Sequence, residues 1–269
     1  AGVNPRQCPA RLARMNILGI DVGGSGIKGA PVDLEAGDFA VPRLRIPTPE
    51  KSSPKNVAGV VAEIIEHFRE HLPDGARIGL TIPAPVVHGR VPFIANLHKS
   101  WAGLEASAFF EDFLGRPVTL VNDADGAGLA EVHYGAAKGN DGLVIMTTLG
   151  TGIGSAIIHR GVLVPNAELG HVELDGHDAE SRAASSIKDR EGLSYKQWAV
   201  RLQRYYSHLE MLFSPDLFVV GGGVSKDSEK FLPQLDLKTP IVPARLRNRA
   251  GIIGAALAAR DADLHPDTV

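Results

Sequence analysis

Two periodicities alternate along this 269-residue chain. Short, almost wholly apolar runs suit buried strands, and longer stretches with apolar residues every three or four positions suit helices packed against a sheet. NILGID, IKGAPV and RLRIPT read as three consecutive strands. Ser53 and Pro54 then supply an N-cap and a first helical residue, and Val57, Val60, Val61, Ile64, Ile65, Phe68 and Leu72 form one stripe behind them. RIGLTIPAPV is a strand, EASAFFEDFL a short helix, PVTLVND a strand and DADGAGLAEVHYGA a helix rich in small residues. That order is βββαβαβα.

The pattern then restarts. DGLVIMTTLG is a strand, TGIGSAIIHRG a glycine turn and strand, and GVLVP a third short strand. Gly23 and Gly150 stand at equivalent turns 127 positions apart, which predicts an internal duplication. A long helix follows with Trp198, Leu202, Tyr206, Leu209 and Phe213 on one face, then the strand DLFVV, the turn GGGVS and the closing helix RAGIIGAALAAR. The expected architecture is two similar α/β halves with a cleft between them. The expected divisions are residues 16–123 and 124–248, with 249–262 packing back on the first half and 1–15 a disordered extension.

The glycine turns carry the first chemical signal. In ILGIDVGGSGIKGAPV, Gly24, Gly26 and Gly29 satisfy the G-x-G-x-x-G of dinucleotide-binding proteins. That fingerprint holds pyrophosphate only when the turn opens a helix, and Pro31 and Pro42 interrupt any helical pattern here. A Walker A loop fails too, because Lys28 is followed by Gly29 rather than Ser or Thr. A glycine hairpin between two strands instead presents backbone amides with no side chains in the way, an anion site of the nest type. Two such hairpins can grip one phosphate chain.

Composition removes several classes. A net charge of −3 gives no global attraction to nucleic acid or an anionic membrane, so neither is expected as a partner. The single cysteine, Cys8, excludes an internal disulfide framework and a cysteine-rich zinc site. No segment has the apolar length of a signal peptide core or a membrane span, and cytoplasmic residence is expected.

Taken together, DVGGSGIKG and TLGTGIG resemble the paired phosphate motifs of the sugar-kinase, Hsp70 and actin superfamily, and VVGGGVS resembles its adenosine loop. With VNDADGAGLAE and ELGH added, the chain resembles the ROK family of hexose kinases. Within that family it resembles the polyphosphate glucokinases, through IANLHKSW, ELGHVELDGHDAE and GGGVSKDSEKFLP. The resemblance spans roughly residues 16–260. It implies duplicated actin-like (ribonuclease H-like) α/β domains with a catalytic cleft between them. The implied activity is transfer of a phosphoryl group from polyphosphate and/or ATP to the 6-hydroxyl of glucose. The alternatives are a zinc-free, ATP-only ROK sugar kinase and a non-catalytic sugar-responsive regulator. Mannose as acceptor, the preferred donor and the oligomeric state, a homodimer included, stay open.

The expected site residues follow from both lines. Phosphate contacts fall to Gly23, Gly24, Ser25, Gly26 and Lys28 in the first turn and to Gly150, Thr151 and Gly152 in the second; Gly221, Gly222 and Gly223 fall to nucleotide. Lys28 also reads locally as a solvated strand residue. Asp21, at a strand end beside a glycine turn, reads as a strand cap or as a ligand, often through water, for the Mg2+ that accompanies phosphate. Asp123 reads locally as a helix N-cap; the resemblance makes it the general base facing the acceptor hydroxyl. Asn96, Asn122, Asp123, Glu168, His171 and Glu180 supply the paired donors and acceptors that a pyranose demands, and the resemblance sends them to the sugar. Many ROK kinases carry a CxCGxxGCxE zinc motif after the ELGH histidine. Here HVELDGHDAESRAASS has no cysteine, and His171 with His177 makes a poor zinc site, so no zinc is expected. Two basic runs, Arg182, Lys188 and Arg190, and Arg245, Arg247 and Arg249, are candidate polyphosphate tracks.

Overall fold

The computed structural model of the chain describes residues 16–94 and 97–264. The expected N-terminal extension and Asn96 lie outside the described residues. The described residues divide into two compact units, one formed by those of 16–126 together with 251–264, the other by Ala127–Ala250.

In the first unit β1 (Ile17–Val22), β2 (Ile27–Asp33), β3 (Asp38–Phe39) and β4 (Leu44–Ile46) lead into α1 (Pro54–His67). The Ser53 side chain accepts from the Asn56 amide and Pro54 opens the helix, where its missing N–H costs nothing. The apolar stripe runs past the helix end: Phe68 leaves helical geometry (φ −100°, ψ 11°), and a single 3-10 turn carries the chain to Leu72. There follow β5 (Ile78–Ile82), α2 (Ala106–Leu114), β6 (Val118–Asn122) and α3 (Asp123–Tyr134). The sheet order is β3-β2-β1-β5-β6, with β4 also on β2. Leu18, Ile20, Ile78 and Leu80 from its centre bury against Val57, Val61 and Ile64 of α1 and against Trp101 and Phe110.

The second unit repeats this plan. β7 (Leu143–Leu149), β8 (Ile153–His159) and β9 (Val162–Val164) form a meander, followed by a small hairpin of β10 (Glu173–Leu174) and β11 (His177–Asp178). Two short helices, α4 (Glu180–Ala183) and α5 (Ser185–Arg190), lead into α6 (Tyr195–Phe213). α6 opens with a capping box between Ser194 and Gln197 and buries Trp198, Leu202, Tyr205, Tyr206 and Leu209. β12 (Leu217–Gly221), β13 (Ile241–Pro243) and α7 (Ala250–Leu264) close the chain. The sheet order is β13-β12-β7-β8-β9.

The duplication is visible in the pairing. β1 pairs antiparallel with β2 and parallel with β5, which pairs parallel with β6; β7 stands in the same relation to β8, β12 and β13. The chain is a duplicated actin-like α/β fold. The sequence pattern did not yield β13, because IVP is three residues long and ends in proline; as an edge strand it tolerates the missing donor.

The chain crosses between units inside α3 and returns inside α7. Past its first residue α7 belongs to the first unit and lies against the sheet on glycines. Side chains at Gly19 and Gly79 would run into the backbone carbonyls of Ile252 and Ala255, and one at Gly254 would run into that of Gly126. Gly59, on α1, faces open space. Gly254→Ala is therefore expected to lower stability by about 1–3 kcal/mol through overpacking. Gly59→Ala should raise it by about 0.4–1 kcal/mol by restricting the unfolded chain. Urea unfolding midpoints of the two variants check the opposite signs.

Candidate active site

Each meander places a short turn at the mouth of its first two strands. In the first unit the last ladder pair is Val22 with Ile27, and the Gly23 amide donates to the Gly26 carbonyl across the turn (3.2 Å). In the second the last pair is Leu149 with Ile153, and Gly150 donates to Gly152 (3.0 Å). None of Gly23, Gly24, Gly26, Gly150 or Gly152 has φ in the left-handed region. This differs from the alternating geometry of a nest; these glycines serve by lacking a side chain.

The space that would hold a Cβ at Gly26 is filled by the Arg45 guanidinium, with Nε at 2.7 Å, and Arg45 Nη2 donates to the Ser25 carbonyl (2.8 Å). The Thr48 hydroxyl donates to the Gly23 carbonyl (2.5 Å). In the second turn the Glu180 carboxylate occupies the place of a Gly152 side chain, and its Oε2 accepts the Ile153 amide (3.0 Å). Ser185 Oγ donates to the Gly150 carbonyl (3.1 Å), and Ser186 donates from its amide to Gly150 (3.1 Å) and from its hydroxyl to Thr151 (2.6 Å). Both turns are braced through their carbonyls.

Asp21 and Lys28 are cross-strand partners, with Lys28 Nζ 3.4 Å from Asp21 Oδ2, and Oδ1 accepts the Thr81 hydroxyl (3.1 Å). Gly251, near the start of α7, comes so close that a Cβ there would stand 3.0 Å from the Asp21 carboxyl carbon. Gly222 follows β12 at φ +83°, and a side chain there would strike the Leu149 backbone at the mouth of the second turn. The Gly222 carbonyl accepts the Ser225 hydroxyl (2.8 Å), which begins the 3-10 segment Gly223–Lys230. Gly221 ends β12 and Gly223 starts that segment.

At the start of α3 the cap is Asn122 rather than Asp123. The buried Asn122 Oδ1 accepts from the amides of Ala124 (2.8 Å) and Asp125 (3.2 Å), and Asp123 is the first helical residue, half-buried, its Oδ1 near the Ala124 amide (2.9 Å). Asp125, two positions on, is fully buried.

Glu168, His171 and Glu180 come together in the second unit with a residue that motif reasoning passed over, Asp178. His171 Nδ1 donates to Asp178 Oδ2 (3.1 Å) and lies 4.0 Å from Glu180 Oε1. That hydrogen bond, aided by the charges of Glu180, Glu168 and Asp178 and opposed by burial, holds the His171 pKa above its ordinary 6.5. Burial pushes the Glu168 carboxyl up from 4.5, opposed by the charge on His171 and reinforced by that on Glu180. The signal for Asp178 was its place seven residues after His171, which only the β10–β11 hairpin turns into contact. His177 has a different partner, accepting at Nε2 from Arg182 (2.9 Å). Among the described residues no group of three or more His, Cys, Asp or Glu is arranged to hold a metal ion.

A family model described as the ROK family matches residues 17–190. The chain belongs to the ROK family. A polyphosphate glucokinase of Mycobacterium tuberculosis is 46% identical over 96% of this chain and 96% of its own length. That of Mycobacterium leprae is 45% identical over 94% of this chain and 78% of its length. The solved structure of the inorganic polyphosphate/ATP-glucomannokinase from Arthrobacter sp. strain KM is 52% identical and superposes with a TM-score of 0.85, covering 91% of this chain and 98% of that one.

The two basic runs of this ROK chain diverge in the structure. Lys188 bonds Asp189 (2.6 Å) and sits over the Tyr195 ring, while Arg182 joins Arg201 and Arg204 around a pocket of about 270 Å³. The Arg245 and Leu246 amides are held by the buried carboxylate of Glu131 (3.1 and 2.7 Å). Among the described residues no helix is long and apolar enough to cross a membrane.

The raised pKa of His171 fixes a sign. What the His171–Asp178 pair contributes to folding is fully present below about pH 6.5 and is lost as pH rises through the higher folded value. Titration of the His171 ring by NMR is expected to give a pKa above 6.5, and Asp178→Asn is expected to lower it. A pKa that does not respond to Asp178→Asn contradicts the hydrogen bond as the leading cause.

Proposed function

We propose that this chain transfers a phosphoryl group from inorganic polyphosphate, and from ATP, to the 6-hydroxyl of glucose, with Asp123 as the general base. The observation that carries the reading is the division of labour at the start of α3. Asn122 accepts the amides of both Ala124 and Asp125, so the cap does not depend on Asp123 alone, and Asp123, which shares the Ala124 amide, stands half-buried as the residue directly after β6. The donor assignment is supported by the polyphosphate-using relatives, which match nearly the whole chain.

In the proposed reaction the sugar 6-oxygen attacks the terminal phosphorus and the bond to the next phosphate opens. The electron pair leaves with the bridging oxygen, and the hydroxyl proton passes to the Asp123 carboxylate. A phosphoryl transition state is loose, so the acceptor needs alignment and a late proton acceptor more than outright deprotonation. The turn amides at Gly24 to Gly26 and at Thr151 and Gly152, with Lys28, are assigned to the donor phosphates. Glu168, His171 and Glu180 are assigned to sugar hydroxyls, with the Asn122 amide group donating. His171, its Nδ1 proton held by Asp178, offers the other ring nitrogen. Asn96 is assigned to the sugar on the family resemblance alone, and mannose as a second acceptor rests on the similarity to the Arthrobacter glucomannokinase.

The residues present suit magnesium. Asp21 is a single carboxylate beside a hydroxyl, a glycine and the Lys28 ammonium at 3.4 Å, and magnesium binds through one or two carboxylates with water and phosphate oxygens completing its shell. Asp21 is proposed to hold it, and the ion would neutralise charge on the donor phosphates. Zinc is not part of the proposed site.

Asp123→Asn is expected to lower turnover by about 10²–10⁴-fold while glucose affinity stays within about tenfold, since the amide keeps its hydrogen bonds but cannot take a proton. Glucose 6-phosphate production with each donor, alongside glucose calorimetry, checks this. Activity within about tenfold of the parent contradicts the base assignment. Absence of turnover with polyphosphate in the parent contradicts the donor assignment.

A further inference from the structure

The ladder of the first unit places four polar side chains in one row. Thr81 on β5 pairs with Asp21 on β1, Asp21 with Lys28 on β2, and Lys28 with Arg45 on β4. Directly opposed residues share a face of the sheet, so the row runs Thr81, Asp21, Lys28, Arg45 across the strands beside the first glycine turn. It holds one carboxylate and two cations. Like charges directly opposite one another destabilise a sheet. Asp21 lies against Lys28 and Thr81, whereas the contact that fixes Arg45 is a neutral carbonyl, that of Ser25. The guanidinium is moreover seated where a Gly26 side chain would be, which brings its charge against the turn itself.

The second unit supplies a contrast. At the corresponding glycine before the second strand, Gly152, the same space is filled by the carboxylate of Glu180. One fold position thus carries a cation in one half and an anion in the other, so the positive charge at Gly26 is a property of this half and not a requirement of the turn.

We propose that Arg45, with Lys28, forms an anion subsite for the phosphoanhydride chain of the donor, extending the first turn along the β2–β4 edge. This rests on the reading of that turn as the donor site. A guanidinium carries five N–H donors in a planar fork matched to phosphate oxygens, and the Ser25 contact is made through Nη2. Arg45 lies outside every glycine motif, and only the pairing of β4 with β2 brings it there.

The test compares Arg45→Gln, Arg45→Lys and Lys28→Gln with the parent, using tripolyphosphate calorimetry at several salt concentrations and steady-state kinetics with polyphosphate and with ATP. Arg45→Gln is expected to raise KM for polyphosphate by about tenfold or more, to weaken tripolyphosphate binding by a similar factor, and to leave the glucose KM within about twofold. Its binding should also depend less on salt, a change that loss of a purely structural brace does not produce. Arg45→Lys, which keeps the charge and loses the fork, should fall between. An increase in KM for both donors places the subsite within three phosphates of the reacting end, and an increase for polyphosphate alone places it farther along. The inference is overturned if Arg45→Gln changes neither donor KM nor salt dependence while Lys28→Gln raises the donor KM. If neither variant moves any donor KM, the reading of the turn as the donor site falls with it.

Discussion

The proposed chemistry depends on one steric constraint, the missing Cβ where an antiparallel pair turns back at a strand end. At Gly26 and Gly152 the backbone is reached by a charged group from elsewhere in the same unit, Arg45 in one case and Glu180 in the other. At Gly24 and Gly150 nothing lies within 4 Å of where a side chain would start. Each turn is therefore held from one side through its carbonyls, by Arg45 and Thr48 in the first and by Ser185 and Ser186 in the second, and is open at Gly24 and at Gly150. A backbone fixed in this way before a ligand arrives loses little freedom when an anion binds, which is the condition for electrostatic stabilisation.

Duplication supplied the frame and divergence supplied the chemistry. The two sheets share strand order and pairing sense, yet Asp21 has Thr148 at the matching place in the ladder, one residue before the last pair. The carboxylate proposed for magnesium thus exists in one half alone, as does the Glu168, His171, Asp178 and Glu180 group in the other. Glu180 connects two tasks within its unit. One oxygen holds the amide at the end of the second turn and the other faces His171, so a sugar bound at that group would bear on the turn through a single side chain.

Much of the fold was legible because its signals are local. The 127-residue spacing of Gly23 and Gly150 announced the repeat, and Ser53, Pro54 and the valine stripe marked α1. The stripe overran the helix because Phe68 and Leu72 still pack on the same core after the chain has left helical geometry. What the sequence hid is non-local. The capping role of Asn122 rests on its reaching two first-turn amides, of which the adjacent Asp123 shares the first, and both residue types are good caps. Asp178 and Arg45 acquire their positions through hairpin and edge pairings of two or three residues, too short to leave a periodic trace.

The central claim is that both glycine turns hold the donor phosphates through their backbone. Amide hydrogen exchange with glucose and tripolyphosphate present together addresses it directly. The account predicts added protection at residues 24–26 and 151–152, and none at the open glycines of other turns such as Gly139 and Gly192. Unchanged exchange at both strand-end turns would contradict it.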